Sequence, residues 1–323
     1  MSLLSRITLA AVVPLTLAAC ARTVRETSPV AATPAPEAPA APALVPTAET
    51  TTSPPPARRP VAPPMVAQQL GLMPLASAGV TEFRQLHPTY DGRGVLIAIL
   101  DSGTDPGVPG LQTTTLGERK ILDLRDFSGE GRVSLAPVRA DAMGRIAVEG
   151  GITLLGAGAV RAVATDSAWY GGLLSELPFG GKPEADFNGN GSNRDRFGVV
   201  VVRGASGWLA FVDSNGDGSL SDETAVADYL VRAETFTFSS RFAPRGRGPI
   251  TAALNLTDES GRPVLTFYLD TSGHGTHTAG IAAAHDMYGV RGFDGVAPGA
   301  RIIALKIANN ARGGVTTNGS MLG

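Results

Sequence analysis

Hydrophobic and polar positions divide the chain into three stretches. Ile7 to Leu17 (ITLAAVVPLTL) is an apolar run behind Arg6, too short to remain in a bilayer as a permanent span, and it leads through Leu17-Ala18-Ala19 to Cys20. From about Thr27 to Pro64 large apolar residues nearly vanish among Ala, Pro, Thr and Ser. Such a segment cannot bury enough surface to offset its ordering entropy and is expected as a semi-extended, polyproline-type tether. Periodic patterning starts near Gly79. The division that follows is a signal segment at 1–20, a tether at 21–64 and a folded body at 65–323.

Within the body the pattern predicts particular elements. Val80 to Leu86 (VTEFRQL) reads as a short amphipathic helix ended at His87-Pro88, because the residue before proline is pushed out of the helical region. Asp91-Gly92-Arg93-Gly94 is a turn. Val95 to Leu100 (VLIAIL) is a continuous apolar run, the pattern of a strand buried on both faces in a parallel sheet, and it delivers Asp101-Ser102-Gly103 to the strand's C-terminal end, where catalytic groups of α/β sheets collect. GVVVVRG and WLAFVD around Ala205-Ser206 read as a hairpin, and Val264 to Leu269 (VLTFYL) as a strand. Gly273-His274-Gly275 then turns into Thr276 to Ala284, a run of Thr, Ala and Gly suited to a helix packed closely on its neighbours.

Composition narrows the function classes. A net charge of −2 and the lack of any basic cluster beyond Arg58-Arg59 argue against a nucleic-acid partner. Cys20 is the single cysteine, so an internal disulfide is excluded. The sequence around Cys20 resembles a bacterial lipobox, in which the cysteine becomes the lipidated N-terminus. That resemblance implies a protein of the cell envelope, attached to a membrane through the lipid and held off it by the tether.

The candidate chemistry lies in Asp101 and in the stretch DTSGHGTHTAGIAAA, which begins at Asp270. Zinc would call for histidines four apart with a glutamate between them, or a third ligand nearby; His274 and His277 are three apart with Gly-Thr between. For His277 a core histidine satisfied by hydrogen bonds is the preferred reading.

Three blocks in order, ILDSG, SGHGTHTAGIAAA and GVAPGARIIALKI, resemble the aspartate block, histidine block and following strand of the subtilisin-like serine proteases, the subtilases. The resemblance implies an α/β fold with a parallel sheet flanked by helices, His274 as general base, Asp101 as the carboxylate that fixes its tautomer, and protein or peptide substrates. His277 is then a structural neighbour. Asp101 and His274 stand 173 positions apart, far more than a minimal subtilase needs. With ILDSGTDPGVPGL, KILDLRDFSGEG and the hairpin, the long insert is similar to the tripeptidyl-peptidase II branch of the family. A β-rich insertion at about 130–262 is expected, with KILDLRDFSGEG among its signals.

Two stretches of the insert, beginning at Asp186 (DFNGNG) and Asp213 (DSNGDGS), match the start of a calcium-binding loop. Position twelve of the second is Thr224 in place of a glutamate, and the first reaches an arginine before any further carboxylate, so Asx-type turns are preferred and structural calcium stays an alternative. The resemblance implies no cofactor for the chemistry itself.

The serine block of the family is not found. Ser320, in NGSMLG, lacks the flanks of a subtilase nucleophile and follows His274 too soon. The chain reads as an N-terminal fragment, inactive by itself, with the edge of the strand at Arg301 to Ile307 unpaired and with no room for a folded propeptide. Ala308 to Gly323 contains no acid to hold a substrate's free ammonium, which favours an endopeptidase over a tripeptidyl exopeptidase. The competing classes are a non-catalytic binding module of the envelope on the same scaffold and a calcium-dependent β adhesion domain.

Overall fold

The computed structural model describes residues 73–179, 186–240, 249–312 and 314–316. Cys20, the tether and Ser320 lie outside the described residues.

Three parallel strands form the sheet that carries the candidate chemistry: β1 (Leu96–Asp101), β2 (Ile121–Asp126) and β13 (Arg301–Lys306), in the order β1-β13-β2. Asp101 pairs in register with Lys306, and Lys306 with Asp126, so three charged residues end the three strands on one edge. The strand at Arg301 is therefore central, with partners on both sides, and the edges are β1 and β2. This corrects the expectation of an unpaired edge there. It also moves KILDLRD, read as part of the insert, into the parallel sheet as β2.

Four helices are present among the described residues: α1 (Val80–Leu86), α2 (Ala157–Val163), α3 (Tyr229–Arg232) and α4 (His274–Ala283). Helix α4 packs on one face of the sheet, where Ala279 and Ala283 join Ile99, Ile302, Ala304 and Leu124 in a common core. The apolar run of β1 is not buried on both faces as its pattern suggested. Ile97 and Ile99 point to the core, while Leu96 and Leu100 remain 52% and 48% exposed on the other face. Alternation along a strand sends successive side chains to opposite faces, and no described residue covers the second one.

The segment between β2 and α4 is mostly antiparallel. One sheet runs β4 (Ala136–Val138), β7 (Trp169–Ser175), β8 (Arg196–Gly204) and β9 (Gly207–Val212); another runs β10 (Phe236–Thr237), β11 (Thr251–Glu259), β12 (Arg262–Tyr268) and β3 (Arg132–Val133), in the order β10-β11-β12-β3. The hairpin expected around Ala205-Ser206 is β8–β9, closed by the pair Gly204 and Gly207. Phe197, Val199 and Val201 face Leu254, Leu265 and Phe267 across the space between the sheets. Val200 and Val202 pack on the opposite face against Ile146, Leu154 and Val160, which belong to the small hairpin β5 (Ile146–Val148) and β6 (Ile152–Leu154) and to α2. The valine run of β8 is thus buried twice over, and each such side chain contributes about 1.5–3 kcal/mol. A last short pair, β14 (Ala308–Asn309) and β15 (Val315–Thr316), follows β13.

Polar contacts fasten this β-rich segment to the parallel sheet. Arg125 on β2 donates to both oxygens of Asp228 before α3, at 2.9 and 3.0 Å. Asn255 on β11 donates to the carbonyl of Leu124 and accepts the N–H of Asp126. β12 then leads within a few residues into α4, so the last strand of this β-rich segment aims the helix that carries His274.

Candidate active site

The site is built where β1 ends and α4 begins. Helix α4 starts at His274 itself, two residues earlier than the sequence pattern suggested, after Gly273 in the left-handed region (φ 79°). Gly275 lets the helix approach the strand: a Cβ there would lie 2.0 Å from the carbonyl oxygen of Gly103 and 3.0 Å from the Cβ of Asp101. Only glycine permits that approach.

The approach brings the two residues singled out from the sequence together. Nδ1 of His274 lies 2.7 and 2.9 Å from the two carboxylate oxygens of Asp101. The backbone N–H of Ser102 donates to Oδ1 of Asp101 at 2.6 Å, and the hydroxyl of Thr278, one turn after His274, donates to Oδ2 at 3.1 Å. Burial by itself would raise the Asp101 carboxyl, but the N–H of Ser102 and the side chains of His274 and Thr278 outweigh it and hold the group below the ordinary carboxylate value. An ionised Asp101 makes Nδ1 the protonated nitrogen of a neutral His274. The imidazole is 72% exposed, so Nε2 faces solvent with its lone pair available. This arrangement can take a proton from a hydroxyl presented to Nε2 and stabilise the resulting imidazolium. Thr278 escaped the sequence reading, although its place four residues after the histidine puts it on the same helix face.

His277 departs from expectation. It is exposed and makes no side-chain hydrogen bond among the described residues, instead lining a cavity of about 510 Å³ with Asp105, Val108, Thr276, Met287 and Phe293.

As for metal ligands, the one His/Asp/Glu cluster of suitable geometry among the described residues is His285, Asp286 and Asp294, which the sequence did not suggest. A guanidinium nitrogen of Arg84 stands 3.5 Å from Asp294, so positive charge already occupies its flank. In the two loops weighed for calcium, the carboxylates are engaged by their own backbone. Asp186 accepts the N–H groups of Asn190 and Gly191, and Asp213 those of Asp217 and Gly218. Those are the bonds of Asx-type turns.

Residues 92–322 match the Subtilase family. Pyrolysin of Pyrococcus furiosus is 31% identical over 265 residues, covering 68% of this chain and 18% of that protein. Tripeptidyl-peptidase 2 of Oryza sativa subsp. japonica is 29% identical over 312 residues, covering 76% of this chain and 22% of that protein. The crystal structure of Tripeptidyl Peptidase 2 shares the fold with a TM-score of 0.56 at 23% identity, over 76% of this chain and 22% of that one. The chain thus spans about a fifth of the length of these relatives. A match over most of its length, joined to a parallel sheet that carries Asp101 and a helix that opens on His274, establishes that the chain belongs to the subtilase family.

Proposed function

We propose that this chain contributes the aspartate and the general base of an exported, lipid-anchored serine endopeptidase. The observation that carries the reading is the Asp101–His274 pair, with Nδ1 held by a carboxylate and Nε2 turned to solvent. In the proposed reaction a serine hydroxyl attacks the substrate carbonyl as its proton passes to Nε2 of His274. The imidazolium, stabilised by Asp101, then returns that proton to the leaving amine, and water releases the acyl group by the same route. The family's chemistry requires no cofactor.

The endopeptidase reading is favoured by the surroundings of the segment after β13. Its sequence from Ala308 to Gly323 has no acid, and Glu130, which lies beneath it, is not available to a substrate ammonium. One carboxylate oxygen of Glu130 accepts the N–H of Ala311, the other is 2.8 Å from Nζ of Lys306, and both side chains are buried. Substrates are then internal bonds of proteins or peptides. The lipobox-like sequence at Cys20 and the proline-rich stretch after it support a location at the bacterial cell envelope.

The test uses a chain that carries the nucleophile. Cleavage of casein and of N-terminally blocked peptides is expected, and a strict need for a free N-terminus would reverse the endopeptidase assignment. Asp101→Asn is expected to fold and to lower kcat by about four orders of magnitude, with His274→Ala comparably severe. Full activity in a folded His274→Ala protein would remove the reading altogether.

A further inference from the structure

Beneath the Asp101–His274 pair lies a second carboxylate with no part in the chemistry just described. Asp270 is 3% exposed and lies two residues after the end of β12. The residue just before α4 is Gly273, which has no side chain to cap the helix, and Asp270 supplies the missing acceptor. Its Oδ1 receives the N–H groups of Ser272 and Gly273 at 3.1 and 2.8 Å, and its Oδ2 receives the N–H of Thr276 at 3.2 Å.

The same two oxygens also reach the strand. Ser102, the residue after Asp101, donates its hydroxyl to Oδ1 of Asp270 at 3.4 Å while accepting the N–H of Gly275 at 3.0 Å. Thr276 donates its hydroxyl to Oδ2 of Asp270 while accepting the N–H of Asp105 at 2.8 Å. Each oxygen therefore binds one hydroxyl, and each hydroxyl passes the bond on to the other element. One relay ties the end of β1 to the residue after His274, and the other ties the start of α4 to the loop after β1. Ser102 is itself buried, and its carbonyl accepts from the buried ammonium of Lys306.

We infer that Asp270, with the hydroxyls of Ser102 and Thr276, is a positioning clamp that sets the distance and tautomer of the Asp101–His274 pair. The inference rests on the reading of that pair as the base of a peptidase, but its test needs no turnover. A buried acceptor of charge-assisted bonds fixes both elements against each other, and losing one bond releases the pair from a single geometry.

The experiment is imidazole ¹⁵N–¹H spectroscopy on the ¹⁵N-histidine-labelled full chain, whose four histidines can be assigned by single substitutions. At about pH 8.5, well above the ordinary imidazole value near 6.5, the wild type is expected to hold His274 as the Nδ1–H tautomer, with a far-downfield proton. Asp270→Asn is expected to lower the ratio of Nδ1–H to Nε2–H about tenfold, the change expected for one lost bond to a buried charge. Ser102→Ala and Thr276→Val each remove one relay and are expected to lower the ratio severalfold, while Thr276→Ser restores it. Those two variants decide the matter if Asp270→Asn does not fold. Ala279→Gly serves as a control that loosens α4 away from the clamp, and its His274 signal is expected to stay as in the wild type. An unchanged ratio in the relay variants, or an equal loss in Ala279→Gly, overturns the clamp. A wild type lacking the Nδ1–H tautomer overturns the pair itself and the clamp with it.

Discussion

Gly275 and Gly103 meet backbone to backbone: a Cβ on Gly275 would stand 2.0 Å from the carbonyl oxygen of Gly103. The obstacle is main chain, so no rotamer change can relieve it, and α4 must move off β1 to admit even one methyl group. Gly275→Ala is expected to destabilise the fold by about 1–3 kcal/mol in urea denaturation and to lengthen the Asp101–His274 contact. Wild-type stability with an unchanged His274 imidazole spectrum would show that the two elements are not in fact this close.

How much of this was legible in the sequence differs from residue to residue. Asp101 and His274 could be named because each lies in a short block whose glycines and threonines serve only that local geometry. The covering of β1 could not be, since VLIAIL has no alternation and says nothing about which face has a partner. KILDLRD reads as part of the insert because it follows the aspartate block in sequence, yet its partner is a strand about 180 residues later. Parallel pairing is non-local and leaves no short-range mark. Asp270 hides for another reason. An acid three residues before a glycine looks like any turn, and only the burial of its carboxylate and the two hydroxyl relays give it a role.

Glu176 gives a prediction in pH. It is fully buried after β7, its two oxygens accepting the N–H groups of Phe187 and Asp195 at 2.6 and 2.8 Å. Burial pushes its carboxyl from 4.5 up to about 7, against those two bonds and with help from the nearby Asp195 and Asp186 charges. Between those pH values the folded chain keeps a proton that the unfolded chain releases. The group's contribution is therefore present in full below about pH 4.5 and is lost as pH rises through 7. On lowering the pH from 7.5 to 5, the wild type is expected to gain of the order of 1–3 kcal/mol relative to Glu176→Gln, which cannot titrate. Parallel stability curves for the two proteins in urea would remove Glu176 as the source.

The proposed lipid attachment at Cys20 makes a prediction about partitioning. Each buried methylene of an acyl chain contributes about 0.8 kcal/mol, and a single chain gives only reversible binding, whereas several hold firmly. Native protein is expected to stay in the membrane fraction through a carbonate wash. Cys20→Ala is expected to appear in the soluble fraction or to remain unprocessed, and unchanged partitioning would rule the anchor out.

The loops at Asp186 and Asp213 share more than the aspartate, asparagine and two glycines of their first six positions. In each, the asparagine two places on (Asn188, Asn215) donates its side-chain amide to an acid nine places after the first aspartate (Asp195, Asp222), at 2.9 and 3.0 Å. In each, the first carboxylate accepts two backbone N–H groups four and five places ahead. A cation entering either loop would have to compete with amide donors that already neutralise part of the acid charge. The loops are therefore expected to hold their shape through these bonds. Removing the acceptor by Asp213→Ala is expected to cost about 1–3 kcal/mol, because the N–H of Gly218 loses its partner and that of Asp217 keeps only the side-chain oxygen of Asn215. Millimolar calcium is expected to leave the wild-type Tm within about 1 °C, since a ligand at a hundred times its Kd would add about 2.7 kcal/mol and a shift of several degrees. A calcium-dependent rise in Tm that Asp213→Ala abolishes would turn the second loop into a metal site, and a rise that survives that change would point to the first.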